Sequence, residues 1–287
     1  MKVLLAVDGS DQAFDAVRAM GCLAPAQPLT VLHVLHLPHL MYPMLGPTLN
    51  KDLALTVEQA MKEEGERLLG QAVSLLPPHH GMTMKKVVEG TPSETILKEA
   101  ERCGADLIVM GDRGQGQIKE QFLGSVSHRV MTHASCSVFI VKGPIRHVKK
   151  IVIPVGEPED AKVIGDFFSK HPFREPPEIS VLHVVPFSEP AWPVGAMIPQ
   201  AYREEMLAHG KGMANDVVKT IEKYGYTGES LAVVGAPSVA IVQEATSNQA
   251  DLILMRSHSR SGVSRFLLGS VSHGVVHHAH CAVMLIR

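Results

Sequence analysis

Three of the four glycines and both serines between residues 111 and 127 have a spacing that suits a phosphate-binding loop. They are Gly111, Gly114, Gly124, Ser125 and Ser127, in the pattern G-x2-G-x9-G-S-x-S. The two leading glycines have no Cβ, so backbone N–H groups of the turn can approach an anion closely. A helix predicted to begin at Ser125 adds free N–H groups and the positive end of its dipole. The alternative is that the glycines only turn the chain and Ser125 only caps the helix, but the combined spacing favours phosphate binding.

The elements around this loop alternate between short apolar strands and helical segments. In the first half, strands are predicted at 3–7, 29–35, 84–88, 107–110 and 138–141, with helices at 53–76, 92–102 and 125–133. Such alternation predicts a parallel sheet covered on both faces. Ligands of these sheets bind beyond the carboxyl ends of the strands, where the strand order reverses. The loop leaves the fourth predicted strand at that edge.

The chain contains this unit twice. LGSVSHRV at 123–130 returns as LGSVSHGV at 268–275, and VLHV at 31–34 returns at 181–184. An internal repeat of this length predicts two similar structural units. We expect domains at 1–145 and 146–287, each a five-stranded, mainly parallel Rossmann-like sheet with helices on both faces. The closing strands at 138–141 and 283–286 are predicted sheet edges, which invite pairing.

The signature after the fourth strand resembles the ATP-binding signature of the universal stress protein family. Asp8, LHV at 32–34 and Gly90-x-Pro92 stand where that family has them, and the resemblance covers nearly the whole chain in two copies. It implies that the two copies pair as a pseudo-dimer and that ATP binds the first. The implied binding residues are Ala6, Val7, Asp8, Val34, Met110, Gly111, Arg113, Gly114, Gly124, Ser125, Val126 and Ser127. Asp8 and the Val34 backbone would hold the adenosine, although Asp8 could instead be a turn residue.

The second copy keeps the helix start of this signature but loses its glycines. Gly269, Ser270 and Ser272 are retained. The departures are Gly156 for Asp8, Arg256 for Gly111 and Ser259 for Gly114. A Cβ at both loop positions should crowd the phosphates or force another backbone path. The second copy is therefore predicted to bind ATP weakly or not at all, although Arg256 could still attract a phosphate by its charge.

Three functions fit the ATP-binding interpretation. The first is a stress-response sensor or adaptor whose bound nucleotide changes its contacts with an unidentified protein partner. The second is a slow ATP hydrolase or autophosphorylating protein, with Ser125 or Ser127 as acceptor and Asp112 assisting. The third is a structural interaction protein stabilised by ATP. Phosphoryl transfer needs a positioned base and carboxylates that bind Mg²⁺, and the acidic residues nearest the loop glycines are Asp112 and Glu120. Binding is therefore favoured over turnover, and Mg²⁺ remains a possible companion of ATP.

The bulk composition narrows the range of partners. The net charge is −2 and no long basic run occurs, so neither nucleic acid nor an anionic membrane is expected as a partner. Four separated cysteines are typical of a reduced, cytoplasmic protein. Beyond the pseudo-dimer within one chain, a homo-oligomer is also expected.

Two further patterns carry less weight. His273, His277 and Cys281 follow an i, i+4, i+8 spacing, and i, i+4 histidines on a helix can bind Zn²⁺. The helix must end near Ala279, however, which turns Cys281 elsewhere, so no metal site is expected. The segments at 40–45 and 192–199 could be lids, partner contacts or ordinary loops.

Overall fold

The structure is a computed structural model of the 287-residue chain. It describes residues 1–36, 47–114, 123–186, 200–257 and 268–287. The segments at 40–45 and 192–199, considered above as lids or partner contacts, lie outside the described residues. So does Ser259 of the second loop.

One ten-stranded sheet runs through both halves of the described chain. Its strands are β1 (Val3–Ala6), β2 (Leu29–Leu35), β3 (Thr83–Glu89), β4 (Leu107–Gly111), β5 (Ser137–Val141), β6 (Lys150–Val155), β7 (Glu178–Pro186), β8 (Gly228–Gly235), β9 (Leu252–Arg256) and β10 (Ala282–Ile286). Their order is β3-β2-β1-β4-β5-β10-β9-β6-β7-β8. Every neighbouring pair is parallel except β5 and β10, which are antiparallel. This confirms two mainly parallel five-stranded units, paired as a pseudo-dimer through their closing strands.

Helices cover both faces of the sheet. They are α1 (Asp11–Ala19), α2 (Pro47–Leu75), α3 (Pro92–Cys103), α4 (Ser125–His133), α5 (Asp160–Phe168), α6 (Gln200–Glu222), α7 (Pro237–Ser247) and α8 (Ser270–His278). Buried residues of α1, α2, α5 and α6 pack on one face, and those of α3, α4, α7 and α8 pack on the other. Strand residues alternate between these two cores, as Leu4 and Leu5 do, because successive side chains of a strand point to opposite faces. Among the described helices, none has the length and apolar character needed to cross a membrane.

The antiparallel junction joins the two units with buried apolar side chains. Val283 lies opposite Ile140, and Met284 lies opposite Phe139. All four are fully buried. The central contact between the copies is therefore continuous with the hydrophobic core, which is the arrangement expected of a permanent interface.

Two equivalent cationic side chains, one from each copy, donate hydrogen bonds to helix carbonyls beside this junction. The Nζ of Lys142, just after β5, donates to the carbonyls of Val276 and Ala279 at the end of α8. Its counterpart Arg287 donates to the carbonyl of Met131 in α4. Each copy thus supplies a positive charge to the carbonyl end of the other copy's helix, where the helix dipole favours it. Burial lowers the pKa of the Lys142 amine below its usual range.

We expect Lys142→Met to lower the free energy of unfolding by about 1.5 kcal/mol, because charged hydrogen bonds to helix carbonyls are lost while the apolar stem is kept. The exposed Lys149 provides the matched control, and Lys149→Met should change stability by less than about 0.5 kcal/mol. Denaturant unfolding of both variants measures the difference. Equal stabilities would mean that the cation contributes nothing at the junction.

Candidate functional site

A cavity of about 830 Å³ opens at the carboxyl ends of β1 and β4. β1 pairs with β2 on one side and β4 on the other, so the strand order reverses between β1 and β4. This is where parallel α/β sheets bind ligands, and the volume falls in the range of small-molecule sites. Its lining includes the full predicted set: Ala6, Val7, Asp8, Val34, Met110, Gly111, Arg113, Gly114, Gly124, Ser125, Val126 and Ser127. The topology therefore brings together residues from four separate segments of the first copy.

Two hydrogen bonds hold the ends of the glycine loop together. The Gly124 N–H donates to the Asp112 carbonyl at 2.8 Å. The Ser127 hydroxyl donates to the Gly111 carbonyl at 2.9 Å. The sequence pattern places Ser127 in a phosphate-binding loop, but its hydroxyl proton is used within the protein and the residue is 3% exposed. Its evident role is to fix the start of α4 against the end of β4.

The start of α4 gives the cavity an anion-binding element. Gly124 is the N-cap residue and supplies no side chain to the first-turn N–H groups. Ser125 is exposed beside them. These N–H groups and the helix dipole favour an anion at this point. Arg113 adds a cation to the lining, although its Nε also lies 3.1 Å from Oδ2 of Asp112.

Asp8 serves the turn after β1 and also faces the cavity. Its Oδ1 accepts from the Ser10 N–H at 3.0 Å and from the Ser10 hydroxyl at 2.6 Å. Ser10 in turn caps α1 by accepting from the Ala13 N–H at 3.1 Å. Both interpretations of Asp8 are therefore compatible with the geometry. One oxygen shapes the turn while the residue lines the cavity.

The two loop glycines are small for different reasons. A Cβ added to Gly114 would overlap Oδ2 of Asp8. A Cβ added to Gly111 would lie 2.8 Å from the backbone carbon of Gln12, in the first turn of α1. Gly114 therefore leaves room for the cavity carboxylate, whereas Gly111 lets β4 pack against α1.

Several cavity walls were not identified from the sequence. The apolar ones from helices include Val57, Met61 and Leu68 of α2 and Ile96 of α3, and the acidic Glu64 also lines the cavity. His33 also lines the cavity, and its Nδ1 lies 2.9 Å from the Val7 carbonyl. The equivalent His183 makes the same contact with Val155, at 3.0 Å. This repeated bond agrees with a structural role for both histidines, which are half-buried. The apolar face of α2 was a sequence signal that could have pointed to this wall.

In the second copy, an ion pair occupies the corresponding strand-to-helix corner. Arg256 Nη1 lies 3.1 Å from Oδ1 of Asp160 and 3.6 Å from Glu157. Asp160 is fully buried and also accepts from the N–H groups of Gly156 and Glu157, at 2.7 and 3.0 Å. The carboxylate of Asp160, four residues after Gly156, thus accepts the backbone hydrogen bonds of this turn, where the first copy uses Asp8. The Arg256 charge is already paired with two carboxylates, which weakens its expected role as a phosphate ligand.

The retained residues of the second signature keep the geometry of their counterparts. Gly269 is the N-cap of α8, Ser270 is exposed and Ser272 is buried. In the first copy, Gly124 is likewise the N-cap of α4, Ser125 is exposed and Ser127 is buried, although Gly124 is buried and Gly269 is partly exposed. Among the described residues, the two copies therefore differ in the carboxylates and at the end of the strand before the loop, and each helix begins after a glycine N-cap with an exposed and then a buried serine.

Comparison with known proteins gives matches over the whole chain. The model of the universal stress protein family matches residues 1–142 and again 147–287. A universal stress protein of Mycolicibacterium smegmatis is 27% identical over 303 residues, covering 99% of this chain and 96% of that protein. One from Thermus aquaticus is 36% identical over 140 residues, covering 49% of this chain and 97% of its own. The crystal structure of a universal stress protein from Archaeoglobus fulgidus superposes with a TM-score of 0.60 at 20% identity, covering 100% of this chain and 96% of that one. With both halves matched, the chain belongs to the universal stress protein family and carries its domain in two tandem copies.

Proposed function

We propose that the first copy binds ATP in the cavity at the ends of β1 and β4 and that the protein acts as a nucleotide-dependent sensor or adaptor. The observation that carries this proposal is the meeting of the twelve signature residues around one cavity of about 830 Å³. The lining of this cavity contains two chemically different parts. The start of α4 suits phosphates, and the apolar side chains of Ala6, Val7 and Met110 suit a flat base.

The proposal places the adenosine beside Asp8 and the phosphates at Gly124 and Ser125. A carboxylate at the end of a strand can accept from ribose hydroxyls. Arg113 would offset part of the phosphate charge. Mg²⁺ would arrive with the phosphates, and titrations with and without it determine whether it takes part.

A sensor role is favoured over turnover by the position of Asp112. This residue is 5% exposed, lies 3.1 Å from Arg113 and is not among the described residues that line the cavity. A general base must reach the attacking nucleophile, and the burial of Asp112 together with its pairing to Arg113 supports binding over catalysis. If single-turnover ATP hydrolysis is slower in Asp112→Ala than in the wild type, the hydrolase alternative is supported instead.

A route from nucleotide to partner is available through α4. Its first turn borders the cavity, and Met131 near its other end accepts from Arg287 of the second copy. Phosphates that accept hydrogen bonds from the first turn of α4 would therefore act on a helix that contacts both copies. We propose that this helix and the junction beside it transmit the bound state to a protein partner.

Ser125→Glu should weaken ATP binding at least about tenfold, because a carboxylate would face the phosphates at the start of α4. Ser270→Glu is the matched control in α8 and should leave the tight site unchanged. An acidic residue in the first turn favours either helix, so both variants should fold. Calorimetric titration should give one tight ATP per wild-type chain. Equal affinity in wild type and Ser125→Glu, or two equivalent tight sites, would contradict the proposal.

A further inference from the structure

Three histidines from the two copies meet on one face of the sheet. His128 lies on α4, while His273 and His277 lie one turn apart on α8. Within the part of the chain that the structure describes, their ligand nitrogens all lie within 4.8 Å of one another. The ring centroid of His128 lies 5.5 Å from that of His273 and 5.9 Å from that of His277, and the centroids of His273 and His277 are 4.3 Å apart. The cluster thus spans the junction between the copies.

One ring nitrogen of His277 has an unusual environment. The Nε2 of His277 is buried and has no hydrogen-bond partner among the described residues. Buried polar nitrogens nearly always have a partner, so such an atom calls for an explanation. Burial and the neighbouring histidines lower the pKa values of His128 and His277, which favours the neutral imidazoles that metals require.

We propose that His128, His273 and His277 bind one divalent transition-metal ion, with Zn²⁺ as the best fit. Three imidazoles with a water in the fourth position form a known type of zinc coordination. All-nitrogen ligands suit Zn²⁺, Cu²⁺ or Ni²⁺, whereas Mg²⁺ and Ca²⁺ prefer oxygen. Tetrahedral geometry at ordinary Zn–N distances places ligand nitrogens about 3.3 Å apart. Small side-chain rotations would close the cluster from its present spacing.

The cluster depends on a difference between the copies. His128 and His273 are equivalent residues, but the counterpart of His277 in the first copy is Thr132. The third ligand therefore exists on one side only, and one ion per chain is expected. His133, His278 and Lys142 are the other charged or titratable groups that act on His128 and His277. Lys142 opposes a cation, although its amine is bonded to the carbonyls at the end of α8.

A bound ion would fasten α4 to α8 and so stabilise the junction. Ligands that bind only the folded state raise its apparent stability. This site is separate from the nucleotide cavity, and its test does not depend on ATP.

The test titrates Zn²⁺ into the chelator-treated full chain by calorimetry, with Co²⁺ absorption as a second measure of coordination. One site per chain is expected, with a rise in the unfolding temperature. His277→Thr restores the residue of the first copy, and His128→Ala removes the ligand from α4. Each should weaken Zn²⁺ binding by at least about 10- to 100-fold, since loss of a mere supporting contact already costs that much.

His280→Ala, which removes an exposed histidine just beyond α8, is the control and should bind Zn²⁺ like the wild type. Circular dichroism of the metal-free variants checks that all of them fold. If His128→Ala binds Zn²⁺ as tightly as the wild type, the ion is held by the two histidines of α8 alone, and the proposal is overturned. Equal weakening in His280→Ala, or no binding by the wild type, would overturn it as well.

Discussion

Replacing Asp160 with alanine should lower the free energy of unfolding by about 3 kcal/mol, the largest stability effect expected here. Asp160 is fully buried, accepts from two backbone N–H groups and pairs with Arg256 at 3.1 Å. Removing one partner of a buried pair costs about 3–5 kcal/mol, because the remaining charge is left uncompensated. The lower end applies because the Arg256 side chain is 26% exposed and keeps Glu157 at 3.6 Å.

Thermal and denaturant unfolding of the full chain measure this loss, which corresponds to a fall of roughly 6–12 °C in unfolding temperature. Asp166→Ala removes an exposed carboxylate from the same helix and should stay within about 0.5 kcal/mol of wild type. The double variant Asp160→Ala with Arg256→Ala should recover part of the loss, because it removes the uncompensated charge. A change below about 1 kcal/mol in Asp160→Ala would show that the ion pair contributes little.

Local patterns in the sequence were sufficient for the sheet and its duplication. The strand at 29–35 and the helix at 125–133 were predicted with their observed bounds. The helix predicted at 53–76 begins at Pro47 in the structure, because proline is well suited to the first turn of a helix. Pairing of the two closing strands followed from the family resemblance, and the register of β5 on β10 confirms it.

Contacts between distant segments were beyond reach of the sequence. Gly111 was predicted to make room for an anion, yet its missing Cβ faces Gln12, 99 positions earlier in the chain. The role of Asp160 could not be predicted, because no local sequence pattern reveals that Arg256, at the end of the neighbouring strand β9, pairs with it. Both depend on how a strand end packs against the helix of another βα unit.

The histidine cluster shows the same limit. His273 and His277 were noticed by their helical spacing, with Cys281 as the third candidate ligand. α8 ends at His278, so Cys281 lies beyond the helix, as the sequence had indicated. The third nitrogen comes from His128 instead, because the antiparallel pairing of β5 and β10 brings α4 and α8 side by side. Only the arrangement of the two copies reveals that partner.

Gly114→Ala should weaken ATP binding about 100-fold, a loss of ~2.7 kcal/mol in binding free energy. The added Cβ would overlap Oδ2 of Asp8, so either the carboxylate turns away or the loop shifts. In both cases the proposed site loses the alignment between its adenosine contact and its phosphate loop. Stability should change little, because the Asp8 side chain can move more cheaply than the backbone.

Gly111→Ala separates loop geometry from general packing. Its Cβ would meet the backbone of Gln12 at 2.8 Å, which cannot yield without moving α1. We therefore expect it to lower the free energy of unfolding by about 1–3 kcal/mol. Gly70 lies at an exposed position of α2 with nothing near an added Cβ. Gly70→Ala should therefore raise the free energy of unfolding by up to about 1 kcal/mol and leave ATP binding unchanged. Calorimetry and unfolding of the three variants test this contrast. If Gly114→Ala binds ATP as tightly as Gly70→Ala does, Asp8 and the loop do not form a common site.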